Sequence, residues 1–189
     1  MTNILQHDFC KICYDIDLLF GGVYLMSQFM KNLHEQSEES PDMFTPNVYL
    51  GMGFECFIES LIGQFRTDKR ITIENYSIVK HNDQGVDGFG YGLGGEIHTV
   101  QCKARMNVNG WLTANEDHIS NFVAHSKCHY KSQPKHMTVF TTAQGVVTDT
   151  CINMYEDEIN VINNDGLRSL VDNNQEFWTE FRNEMKISK

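Results

Sequence analysis

A chain of 189 residues that is 41% apolar and 11% aromatic can bury a sizeable core, which excludes a compositionally disordered segment and bounds the chain to one domain, or one domain with an appendage. Its formal net charge of −10 excludes a protein that coats nucleic acid non-specifically, because that mode of binding rests on many lysine and arginine contacts to phosphate. No apolar run approaches the roughly 20 residues of a membrane-spanning helix.

From about Asp8 to His34, residues Ile12, Ile16, Leu18, Leu19, Val23, Leu25, Met26 and Phe29 recur at nearly helical spacing, with Gly21-Gly22 placed to kink or split the helix. Glu35 to Asp42 is polar and aperiodic and reads as a loop. Residues 1–46 are thus expected to form a helical extension and linker, and residues 47–189 a core domain with C-terminal helices.

The apolar residues Val48, Leu50, Met52, Phe54, Phe57, Ile58, Leu61, Ile62 and Phe65 predict a helix from Asn47 to about Arg66-Thr67, with Glu55 and Glu59 one turn apart on one face. A strand is expected over Ile71–Val79, a turn or hairpin over the glycine-dense Gly85–Gly95, and a second strand over Ile97–Ala104. Glu116 to Tyr130 reads as a helix capped by Asn115 or Thr113. Strands follow at Met137–Thr142 and Ile159–Ile162, then two short helices between Gly166 and Met185, packed through Leu167, Leu170, Val171, Phe177, Trp178 and Phe181. Helix, strands, helix and strand imply an α/β layer fold with a central mixed sheet. A chain of this length needs no covalent staples, and Cys56 and Cys102 lie in apolar runs, so the six cysteines are expected to be reduced.

The chemistry-bearing residues cluster around Gly85-Val86-Asp87-Gly88 and Val100-Gln101-Cys102-Lys103. Side chains two apart on a strand share a face, so Gln101 and Lys103 are directed together while Val100 and Cys102 form the apolar alternate. Phosphodiester hydrolysis with a divalent cation needs hard oxygen ligands, an activated water, and positive charge where the transition state becomes more anionic. Asp87 is the candidate central ligand, and the Gln101 side-chain carbonyl and Cys102 backbone carbonyl would complete the protein's share. Lys103 would position or help deprotonate the attacking water, and Glu55 would add a ligand directly or through water, with Glu59 its substitute if the helix is rotated. The expected cofactor is Mg2+, for which Mn2+ could substitute. The neutral Gln101 favours one tightly held ion over two.

These residues resemble the motifs of the PD-(D/E)XK nuclease superfamily and, within it, of Mrr-type restriction endonucleases. The match runs through Gly53-Phe54-Glu55, Asp83-Gln84-Gly85-Val86-Asp87 and Gln101-Cys102-Lys103, where the Mrr-like subgroup often carries glutamine in place of the carboxylate. Later segments, Val139-Phe140-Thr141-Thr142, Val147-Thr148 and Ile159-Asn160-Val161-Ile162 with Asp165-Gly166-Leu167, resemble the subgroup's closing elements. The resemblance covers roughly Leu50 to Leu170 and implies a restriction endonuclease-like αβββαβ core and divalent-metal-dependent DNA cleavage. The chain departs from the superfamily pattern at Val86, where a proline would stand, and in the long glycine-rich insert between the motifs.

A DNA endonuclease is therefore the expected activity, without membrane association, in the cytoplasm or in whichever compartment holds its DNA. Alternatives on the same fold are a catalytically inactive DNA-binding or assembly module, and a junction-resolving or homing-type endonuclease. Cutting both strands would favour a homodimer or sequential nicking. Thr99 to His136 carries a local charge of +3 against −13 elsewhere, so Arg105, Lys127, Lys131 and Lys135 are candidate phosphate contacts. Asp83 and Glu96 lie near the site in sequence and could assist it, and turn chemistry accounts for both as well. Cys10-x-x-Cys13 with His7, and His125-x-x-Cys128-His129, have ligand-like spacing, but neither offers the closed set of four that structural zinc requires.

Overall fold

The computed structural model describes residues 4–13, 15–39, 44–79, 85–115, 117–129, 136–147 and 159–189. The chain divides into two compact units, Met1–Gln64 with Gly166–Lys189, and Phe65–Asp165. The expected boundary at 46/47 thus lies inside the first unit, because the C-terminal helices share an aromatic core with the N-terminal ones.

The first unit is helical. Its elements are α1 (Phe9–Ile12), α2 (Ile16–Leu19), α3 (Met26–Glu39), α4 (Pro46–Phe65), α6 (Asn164–Val171) and α7 (Gln175–Ser188), with the ends of α4 and α6 at the unit boundary. Gly22, at φ +64°, stands between α2 and α3, so the glycine pair splits the predicted N-terminal helix rather than kinking it. Pro46 opens α4, where a missing N–H costs nothing. Phe57 lies at the centre of the core, with ring centroids 5.6 to 5.9 Å from those of Phe29, Phe54, Phe177, Trp178 and Phe181. A side chain at Gly53 would come within 2.5 Å of Leu33, so glycine lets α3 and α4 approach closely.

The expected loop over 35–42 is corrected in part, since α3 continues to Glu39. Its polar last turn packs instead of dissolving into solvent. Gln36 is buried, donates to the Asp15 carbonyl at 2.8 Å and accepts from the Tyr49 hydroxyl at 3.3 Å.

The second unit holds a five-stranded mixed sheet in the order β1-β2-β3-β5-β7, with β1 at Glu74–Ile78, β2 at Gly88–Tyr91, β3 at Ile97–Lys103, β5 at His136–Thr141 and β7 at Ile159–Ile162. Strands β1, β2 and β3 run antiparallel, and β5 and β7 pair parallel to β3 and to one another. A bulge between Glu74 and Ser77 is accommodated by Asn75 at φ +50°, a conformation asparagine tolerates. The glycine-dense run contains β2 as well as the turn, a strand whose pattern is hidden because Gly88 faces the Tyr76 ring and Gly90 faces Ile73, leaving no room for a Cβ at either.

Helix α5 (Ile119–His129) forms the crossover between β3 and β5 and covers one face of the sheet through Ile119, Phe122 and Val123, which pack with Val86, Met137 and Val139. It begins at Ile119 rather than Glu116, because His118 at φ +60° precedes it and Asp117 bonds back to Thr113. A second, small sheet pairs β4 (Trp111–Leu112) with β6 (Gly145–Val146). No helix among the described residues is long and apolar enough to cross a membrane.

Candidate active site

Pairing of β2 with β3 sets the site. Gly88 lies opposite Val100, and the Asp87 backbone N–H donates to the Val100 carbonyl at 2.9 Å. The Asp87 side chain then reaches the next peptide along β3, where its Oδ2 accepts the Cys102 N–H at 2.5 Å. Asp87 is half-buried and stands immediately before the strand, beside the Gln101–Cys102 peptide.

Gln101 is completely buried on the face that Thr99 turns toward α5, where the Thr99 and Ser126 hydroxyls bond at 2.8 Å. Its amide lies beside Gly85, which also faces the Phe122 backbone. Gly85 is at φ +91°, and a Cβ there would come 3.3 Å from Gln101 Nε2, so glycine serves both the turn and the space around the amide. Neither Nε2 nor Oε1 of Gln101 has a hydrogen-bond partner among the described residues. An unpaired buried amide costs about 1–3 kcal/mol, so this one calls for an explanation. Lys103 is half-buried at the end of β3, on Gln101's face by strand alternation, with its carbonyl accepting the Thr141 hydroxyl at 2.8 Å. The β2–β3 pairing therefore sets Asp87 beside the Gln101–Cys102 peptide, with Lys103 next along β3.

Glu55 belongs to the first unit. Its Oε2 lies 3.0 Å from His7 Nε2, and Glu59, one turn on, accepts the Gln6 and His7 backbone N–H groups at 2.6 and 3.1 Å. Both carboxylates of α4 thus hold the segment preceding α1, and Glu59, which is buried, serves as its anchor.

Among the candidate phosphate contacts, Arg105 directs one guanidinium nitrogen to Asp117 Oδ1 and another to the Ala104 carbonyl at 2.9 Å. Burial alone would raise the Asp117 pKa, but the Thr113 N–H, at 2.6 Å, and the Arg105 guanidinium outweigh it and hold the carboxyl below the usual range. Lys127 lies half-buried on α5, and Lys131 and Lys135 lie outside the described residues. Trp111 is 56% exposed, its ring edge against Gly145. None of the described cysteines is in a disulfide, and Cys10 packs with Cys56 and Met185, sulfur to sulfur at 3.6 Å, as a core residue.

A second group escaped the sequence reading. At the other end of β3, Glu96, His98 and His136 place one ligand atom each within 4.8 Å of one another. Parallel register sets His98 opposite His136, with ring centroids 4.8 Å apart. His98 is 4% exposed, and neither ring nitrogen has a hydrogen-bond partner among the described residues. Burial pushes its pKa down and His136 adds to this, against the pull of Glu96. The Glu96 backbone amide holds its own carboxyl below the ordinary range. The only trace in the sequence is a histidine at the start of each of two strands, and strand register is needed to make it a pair.

Neither a protein-family model nor a curated protein matches the chain.

Proposed function

We propose that this chain is a divalent-metal-dependent DNA endonuclease, with Asp87, Gln101 and Lys103 as its working residues and Mg2+ as its ion. The observation that carries this reading is the buried amide of Gln101, unpaired among the described residues and next in sequence to the amide that Asp87 binds. A carboxylate, an amide oxygen and a backbone carbonyl are hard oxygen donors of the kind Mg2+ selects, so the residues present fit the ion. Asp87, Gln101 and the Cys102 carbonyl would hold it. Bound there, the ion would supply Lewis-acid polarisation of the phosphate and a more acidic water.

The chain's own part in the reaction is positional and electrostatic. The Cys102 N–H fixes the Asp87 carboxylate, so its charge is oriented before substrate arrives. The Lys103 ammonium, carried on Gln101's face, orients the attacking water and offsets the charge that develops on the phosphate oxygens. Burial of Gln101 keeps bulk water from competing for its carbonyl. Glu55 is the fourth member of this proposal, to be tested through its own substitution.

One observation favours a second reading, a DNA-binding or assembly module without turnover. The bond from Cys102 N–H to Asp87 Oδ2 also serves the fold, by satisfying a strand amide. Incubating supercoiled, linear and branched DNA with the protein in Mg2+, Mn2+ or chelator separates the two. Metal-dependent cleavage abolished by Asp87→Ala and Lys103→Ala, with DNA binding retained, supports the nuclease; DNA binding without cleavage supports the module.

A further inference from the structure

We propose that Glu96, His98 and His136 form a second metal site, for a first-row transition ion of the Zn2+ class, at the hairpin end of β3 and on the opposite face from Gln101. Alternation along β3 sets His98 and Gln101 on different faces, and three residues of strand separate them by about 10 Å. The two sites therefore share a strand but no ligand.

The donor set selects the ion. Two imidazoles and one carboxylate suit Zn2+ and its neighbours, whereas Mg2+ prefers oxygen alone. Three protein ligands leave a coordination position for water or an exogenous group. Ligand atoms within 4.8 Å of one another are somewhat wider than a tetrahedral shell with bonds of about 2.0–2.2 Å, so closing the shell requires the exposed His136 ring to turn inward.

Two observations independent of the cluster's composition point to a ligand. His98 is buried with neither ring nitrogen hydrogen-bonded among the described residues, its Nε2 standing 3.9 Å from Glu96 Oε1, and coordination through Nε2 reduces that cost. Gly92, bonded through its N–H to the Glu96 carbonyl at 2.8 Å, is where the two ligand atoms converge. A Cβ there would stand 2.8 Å from His98 Nε2 and 2.4 Å from Glu96 Oε1, so glycine is what lets both atoms approach the same stretch of backbone. An ion held by the three ligands would tie the β2–β3 hairpin to the start of β5.

The test is titration of the full-length, chelator-stripped protein with Zn2+ alone by isothermal calorimetry, with Co2+ absorption reporting the ligand type. Expected is saturable binding with a nitrogen and oxygen ligand spectrum, retained in Asp87→Ala and Cys128→Ser and weakened more than about tenfold in His136→Ala. Gly92→Ala, which removes no ligand but pushes Glu96 Oε1 and His98 Nε2 apart, is expected to weaken it comparably. If either variant fails to fold by circular dichroism, Glu96→Gln carries the comparison, since it keeps the shape and loses the charge. Absence of saturable binding, an unchanged affinity in the folded variants, or dependence on Cys128 or Asp87 overturns the proposal. Because Zn2+ affinity is read without DNA, failure of the nuclease reading leaves this result unaffected.

Discussion

The Asp87 carboxylate accepts the backbone N–H of Cys102 at 2.5 Å, so one side chain both completes the pairing of β2 with β3 and stands next to the Gln101 amide. Asp87→Ala removes that hydrogen bond, which is expected to cost about 0.5–1.5 kcal/mol. Asp87→Asn keeps an acceptor oxygen and should cost less, while removing the charge an ion requires. Urea denaturation of both variants beside their cleavage rates separates the two roles: Asp87→Asn should be near wild-type in stability and inactive.

Gln101 offers a sharper contrast between stability and activity. Its two polar atoms are buried without partners among the described residues, so Gln101→Leu removes an unpaired amide at similar volume. The variant is expected to be as stable as wild type or more stable by about 1–2 kcal/mol, and to lose metal-dependent cleavage. Thermal unfolding with and without Mg2+ checks this, since only the wild type should be stabilised by the ion.

Glu55 and His7 meet at 3.0 Å, with the carboxylate partly exposed. Glu55→Gln preserves a hydrogen-bonding partner for His7 and is expected to change stability by less than about 1 kcal/mol. A fall in cleavage of tenfold or more at unchanged stability would give Glu55 its proposed place among the ligands; unchanged cleavage would confine it to holding the chain before α1.

Asp117 supplies a pH dependence. Its folded-state pKa is depressed, so its contribution to stability is fully present above the unfolded value of about 3.9 and is lost as pH falls through the folded value. Asp117→Asn should therefore be less stable than wild type at pH 7, with the difference shrinking progressively below about pH 4. Denaturation midpoints of the two proteins across that range are the measurement.

The first unit rests on Phe57, which is fully buried among five aromatic neighbours. Phe57→Ala is expected to cost about 3–5 kcal/mol, read as a lowered denaturant midpoint.

The sequence disclosed elements whose apolar spacing is clean. Helix α4, strands β3, β5 and β7, and the two C-terminal helices fall close to where periodicity places them, and the mixed α/β character follows. Strand β2 was hidden because Gly88 and Gly90 leave its alternation without side chains to read. The last turn of α3 was missed because Gln36 is buried through hydrogen bonds to Asp15 and Tyr49, which composition does not reveal. The division of the chain was missed because Phe177, Trp178 and Phe181 pack with Phe29 and Phe57 from a distant stretch of sequence. Strand alternation was enough to set Gln101 and Lys103 on one face of β3, and the sequence order to set Asp87 next to β2. It was not enough for His98 and His136, whose meeting depends on parallel register between strands linked by α5.

The most direct measurement of the central claim is nicking of supercoiled plasmid by wild type and Asp87→Asn in Mg2+, at protein concentrations giving equal DNA occupancy by mobility shift. Mg2+-dependent nicking by wild type, abolished in Asp87→Asn at equal occupancy, is the expected result. Equal nicking by both proteins, or none by wild type while DNA is bound, would contradict the assignment of this site to phosphodiester hydrolysis.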